Sequence, residues 1–274
     1  MNSIHNQLSY HHITISSYQL IITSTMVLAL IYNPDTAQTL LKSAATLATQ
    51  LEKEFGVLSL VDSAGQIASR EKELKELLPE TTIWVRDSKT TQLEAVCEEL
   101  DASFLFIQLS DASSIRSHLK ACRDLRIPYV LFKDAFAEMD LTKVILPIGF
   151  LEEELEKAQF AAAFGRFCGS EIKMLLANDY GSKAATNAER MQSLFDKFDF
   201  KYTLEKATKD SFKVEKEAVQ VAEVLHAGMI IVSASRDYGL DDILFGPKEY
   251  HVLKKAAIPV LLVNPRGDLY ALCD

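Results

Sequence analysis

The sequence predicts an α/β protein in which two open five-stranded parallel sheets follow one another, each flanked by helices. Three observations predict it. Short continuous apolar runs alternate with stretches whose apolar residues recur three and four apart, the pattern of buried parallel strands and crossover helices. After five strands the pattern starts again. The two passes align residue on residue: Val27 on Val144, Leu100-Asp101-Ala102 on Leu225-His226-Ala227, and Ile127-Pro128 on Ile258-Pro259.

In the first pass, residues 27–32 form a strand, and a helix starts near Pro34-Asp35 with Leu40, Leu41, Ala44, Ala45, Ala48 and Leu51 on one face. Pro34 suits a first helical turn and Asp35 the positive end of the helix dipole. Strands follow at residues 57–61, 82–85, 104–108 and 129–132, with helices near 66–78, 90–100 and 112–125. In the second pass, strands fall at residues 143–148, 172–177, 202–206, 229–233 and 260–263. The first helix carries Leu151, Leu155, Ala158, Ala162 and Phe164, and others lie near 184–197, 210–226 and 247–256. The offset between the passes grows from 117 to 125 to 131 residues. Six of those residues are missing from the first pass between its fourth strand and the end of its fourth helix. That loop is one wall of the crevice where open α/β sheets bind ligands, so the first half has a reduced wall.

The organisation read from this is an N-terminal extension at 1–25, α/β units at 26–138 and 142–264 joined around Met139-Asp140, and a tail at 265–274. The extension has no charged residue up to Pro34. It also lacks the basic start of a secretory signal, and residues 26–32 serve better as the first buried strand than as part of an anchor.

Composition narrows the function classes. With 274 residues, 48% hydrophobic and 24% charged, the chain is globular rather than disordered or collagen-like. A net charge of −9 disfavours nucleic acid and anionic membranes as partners. Cys97, Cys122, Cys168 and Cys273 form no CxxC pair and read as reduced thiols of a cytoplasmic protein; no metal site is expected. His226 and His251 read as surface or capping residues, and the run Glu152-Glu153-Glu154 as acids at a helix start.

A duplicated unit that ends in a short helix, an Ile-Pro pair and an apolar strand resembles the universal stress protein family in tandem form, an adenine-nucleotide alpha-hydrolase-like fold. The most specific segments are Gly228 to Arg236, Phe245 to Lys248 and Val252 to Asn264. Nucleotide-binding members of that family carry a glycine, two residues, a second glycine, nine residues, then glycine and serine or threonine. They also place an aspartate at the end of the first strand. Glycines let backbone approach phosphate, and main-chain N–H groups at a helix start supply positive potential.

In the second half the three glycine positions fall on Ser233, Arg236 and Gly246, the serine or threonine position on Pro247, and the aspartate position on Gly149. In the first half the aspartate position falls on Tyr32, and the loop Leu109-Ser-Asp-Ala-Ser-Ser114 has no glycine. The resemblance thus implies Ser233, Ser235, Arg236, Gly246 and Gly149 as the candidate residues of a degenerate nucleotide cleft. The expectation is a non-catalytic, cytoplasmic stress-response protein without a cofactor, acting on a protein partner or small ligand. One alternative is a regulatory protein that binds ATP or AMP in its second half, and another is a nucleotide hydrolase of a related fold. The resemblance also implies an intrachain pseudo-dimer through residues 129–132 and 260–263, with a homodimer as a further expectation.

Overall fold

The computed structural model describes residues 25–235 and 247–265. Ten strands are present: β1 (Met26–Ile31), β2 (Glu54–Val61), β3 (Thr82–Asp87), β4 (Ala102–Leu109), β5 (Tyr129–Lys133), β6 (Lys143–Ile148), β7 (Glu171–Leu176), β8 (Tyr202–Lys206), β9 (Met229–Ser233) and β10 (Val260–Val263). The α-helices among the described residues are α1 (Gln38–Gln50), α2 (Ile67–Leu77), α3 (Leu93–Glu99), α4 (Ile115–Ala121), α5 (Glu156–Phe167), α6 (Lys183–Phe195), α7 (Val214–Leu225) and α8 (Lys248–Lys255).

The two expected five-stranded sheets are joined into one. Strand order is β3-β2-β1-β4-β5-β10-β9-β6-β7-β8, so the second half repeats the first in mirror order. Every neighbouring pair is parallel except β5 and β10, which run antiparallel with Val130 opposite Leu261 and Tyr129 opposite Leu262. This is the contact expected between residues 129–132 and 260–263. Each apolar run thereby gains a ladder partner in place of an exposed edge. The antiparallel seam also sends the carboxyl ends of the two sets of strands to opposite edges of the sheet.

Strand β1 explains the layering. Val27, Ala29 and Ile31 point into one core, while Met26, Leu28 and Leu30 point into the other, the period-two alternation of a strand covered on both faces. The first core is built on α1, α5 and α6 and runs across the seam, where Phe104 of β4 meets Phe160 and Phe164 of α5, each at 6.0 Å between ring centres. The second holds the apolar stripes of α3, α4, α7 and α8. Cys97 and Cys122 are free thiols inside it, and burial pushes the Cys97 thiol up to about 12.

Two sequence expectations need correction. The helix after β1 starts at Gln38, not at Pro34-Asp35. Residues 33–36 are spent on a turn in which Asn33 Oδ1 accepts from Asp35 N–H and the Pro34 carbonyl accepts from Ala37 N–H, so Asp35 lies outside the helix. The acids at 152–154 are also not equivalent: Glu152 is exposed and Glu153 half-buried, while Glu154 is buried. His226 does cap α7, in the left-handed conformation at φ 49°.

Candidate functional site

In each half the strand order reverses between the first and fourth strands, so the crevices lie beyond the carboxyl ends of β1 and β4 and of β6 and β9. The first is filled from within. Gln108, 1% exposed near the end of β4, accepts from the backbone N–H groups of Tyr32 and Asn33 at 2.8 and 2.9 Å. Its amide nitrogen donates to Asn33 O, Thr36 Oγ1 and Asp134 Oδ1 at 2.9–3.0 Å. Tyr32, at the aspartate position, packs edge-on against His118 with its hydroxyl 3.2 Å from Nε2. Burial pushes the Tyr32 phenol up to about 12. The backbone N–H groups that follow β1 are therefore already taken.

The second crevice opens where β6 leaves β9. The two strands pair only through Val144 and Ile145, because Pro147 has no N–H with which to continue the ladder. Gly149 follows, and its N–H donates to Glu154 Oε2 at 3.2 Å while its carbonyl accepts from Asn187 Nδ2 at 3.0 Å. A Cβ on Gly149 would stand 3.2 Å from Ser211 Oγ, so an aspartate there would need Ser211 to shift. Phe150 N–H donates to that same hydroxyl at 2.9 Å, and Ser211 is tied in turn to Asp179.

An ionic cluster lies across this crevice. Lys157 of α5 is fully buried and donates to Glu154 Oε2 at 2.5 Å and to the Pro147 carbonyl at 2.6 Å. Lys248, on the first turn of α8, reaches Glu215 Oε1 at 3.2 Å and Glu154 Oε1 at 3.9 Å. Glu249 is also fully buried, and its two carboxylate oxygens accept from Ser235 N–H at 3.1 Å and Ser235 Oγ at 2.7 Å. The helix starts supply favourable potential to these acids, and the carboxylates occupy it.

The environments set the three carboxyls apart. Burial pushes Glu154 upward, but the ammonium groups of Lys157 and Lys248 outweigh it and hold that acid below the ordinary carboxylate range. Glu215 is raised by burial, only partly offset by Lys248. Glu249 is raised by burial as well, although Ser235 pulls it back. Among the described residues, three carboxyl groups thus face two ammonium groups at this crevice.

Of the residues singled out in the sequence, the structure brings Gly149, Ser233 and Ser235 to this crevice, at the ends of β6 and β9. The Ser233 hydroxyl is buried without a hydrogen-bond partner among the described residues. Arg236 and Gly246 lie outside the described residues. Pro247 is the residue before α8, in extended conformation. Sequence reasoning missed Gln108, Glu154, Lys157, Glu215, Lys248 and Glu249. Gln108 did carry a signal, as a single polar residue near the end of the apolar run Phe104-Leu-Phe-Ile-Gln-Leu109, where a buried amide needs partners. Among the described residues no group of three His, Cys, Asp or Glu could hold a metal ion, and no helix is long and apolar enough to cross a membrane.

An open α/β sheet with two switch-point crevices and a β5-to-β10 seam defines the class. No protein-family model matches the sequence, and no match to it was found among the curated proteins. Among solved structures, a universal stress protein from Archaeoglobus fulgidus is 14% identical with a TM-score of 0.64, the match covering 89% of this chain and 99% of that one. A functionally unknown protein from Pseudomonas aeruginosa PAO1 is 14% identical with a TM-score of 0.62, over 93% of this chain and 97% of that one. The chain has the universal stress protein fold.

Proposed function

We propose that this chain is a non-catalytic, cytoplasmic protein of universal stress type, acting in stress response by binding a protein partner or small ligand, with its nucleotide clefts given over to internal contacts. The observation that carries the reading is that, among the described residues, backbone donors at both crevices are already held by the chain's own side chains. Gln108 takes the N–H groups after β1, and Glu249 takes Ser235 at the end of β9. An anion offered to either place must displace a partner already bonded there, and in the second half it also meets the carboxyl groups of Glu154, Glu215 and Glu249.

The antiparallel seam supports reading residues 26–138 and 142–264 as two units paired within one chain, in the manner of a pseudo-dimer. The test is isothermal titration of the whole protein with ATP and AMP, together with a multiple-turnover hydrolysis assay. The reading predicts no binding heat and no turnover. Stoichiometric binding without turnover would favour a regulatory nucleotide sensor, and steady turnover would favour a hydrolase.

A further inference from the structure

We propose that the carboxyl edge of the second half is a docking surface for a protein partner, and that its occupant is an acidic segment bearing a large apolar side chain, held by Tyr180, Phe212 and the lysines beside them. This rests on the reading above and names the chemistry of the partner. Tyr180 and Phe212 are the two most exposed large hydrophobic side chains among the described residues. They lie in the loops after β7 and β8, and hydrogen bonds lace those loops to each other and to the one after β6. Asn178 N–H donates to the Lys209 carbonyl at 2.8 Å, Ser211 N–H to Asp179 Oδ1 at 2.8 Å, and Phe150 N–H to Ser211 Oγ at 2.9 Å. Each exposed aromatic therefore follows one member of the Asp179–Ser211 pair. The Phe150 ring meets Phe212 edge-on at 5.5 Å between ring centres and braces it. A surface held this way needs little ordering when a partner arrives.

The fold itself does not require these aromatics. The matching loops of the first half, residues 62–66 and 88–92, contain none, and Asn33 stands at the position of Phe150. Charge then selects the occupant. The chain carries −9 overall, yet Lys183, Lys206 and Lys213, close in sequence to the two rings, are exposed and have no ion pair among the described residues. Of the neighbouring acids, Glu152 and Glu205 are paired with Arg190 and Lys173 at 3.3 and 2.8 Å, and Glu153, Asp179, Asp210 and Glu217 are half-buried. Exposed aromatic anchors flanked by unpaired ammonium groups fit a segment that offers an apolar side chain to the rings and carboxylates to the lysines.

The test selects a random dodecapeptide library, displayed on phage, against the whole protein. Enriched peptides are then titrated by fluorescence anisotropy against wild type, Tyr180→Ser with Phe212→Ser, and Lys206→Ser with Lys213→Ser. Val224→Ser is the control, because it removes an exposed apolar side chain from α7 instead. The expected peptides combine Asp or Glu with Trp, Phe, Tyr or Leu. They should bind at least about tenfold more weakly to the aromatic double variant, a difference of about 1.4 kcal/mol, and equally to wild type and control. The lysine double variant should weaken binding as well, as should added salt. If the aromatic double variant does not fold, Tyr180→Ser and Phe212→Ser singly answer in the same direction. No enrichment, peptides of another composition, or undiminished binding to the folded aromatic variants overturns the inference. So does a wild type that self-associates in sedimentation velocity while Phe212→Ser is monomeric, which makes a second copy the occupant. Oligothymidylate binding that Phe212→Ser abolishes overturns it in favour of nucleic acid. Failure of the peptide selection leaves the closed clefts standing, whereas ATP binding by the wild type overturns the closed clefts and leaves the peptide result intact.

Discussion

Lys133 and Asn264 stand at equivalent positions of the two repeats, 131 residues apart, and each crosses the seam to cap a helix of the other half. Lys133 Nζ donates to the Ala256 carbonyl at 2.7 Å, at the end of α8. Asn264 Nδ2 donates to the Leu125 and Cys122 carbonyls at 2.9 and 2.7 Å, beyond the end of α4. Ala256 and Leu125 are themselves 131 residues apart, so the exchange is a local two-fold relation written into one chain. Carbonyls at helix ends lack intrahelical partners, and these side chains supply them.

Removing either cap should loosen the seam by a similar amount. Lys133→Met and Asn264→Ala are each expected to cost about 1 kcal/mol, measured by denaturant unfolding of the whole chain. Two variants with wild-type stability would show that the capping contacts contribute nothing net.

Gln108 satisfies two backbone N–H groups from a buried position. Gln108→Ala should therefore lower stability by about 2–3 kcal/mol, more than its lost apolar contact alone explains. Hydrogen exchange at Tyr32 and Asn33 is the direct check, with both amides expected to lose protection.

The buried pair Lys157 and Glu154 should behave asymmetrically. Lys157→Met leaves an acid in the interior and is expected to cost about 3–5 kcal/mol, while the double variant Lys157→Met with Glu154→Gln should recover most of that loss. An additive double variant would contradict a direct ionic coupling.

Most of the fold was legible because its signals are local. The strands expected at 202–206, 229–233 and 260–263 coincide with β8, β9 and β10. The late start of α1 was not legible, because it depends on Gln108, a residue far along the chain that holds the backbone of Tyr32 and Asn33. The ionic cluster was hidden for a related reason. Glu154, Glu215 and Glu249 each sit at or near a helix start, where an acid has an ordinary explanation in the dipole, and only the fold brings the three helices to one crevice. Ser235, a candidate residue of the degenerate cleft, holds the Glu249 carboxylate, a partner that the sequence pattern does not show.

Glu249 also predicts a pH dependence with a definite sign. Its carboxyl is raised in the folded chain, so between the ordinary carboxylate value and the raised one the folded state binds more protons than the unfolded state, and stability falls as pH rises through that window. Glu249→Gln removes this loss. Its stability relative to wild type should therefore be least favourable in acid and improve with rising pH until the window is passed, read from denaturant midpoints across pH. A difference that is the same at every pH would contradict a raised Glu249.

That side chains of the chain itself hold the donors of both crevices and leave no place for a nucleotide is tested most directly by native mass spectrometry of the whole protein as purified and after addition of ATP. The expected result is the mass of the polypeptide alone in both spectra. A bound adenine nucleotide in stoichiometric amount, retained as purified or taken up on addition, would contradict it.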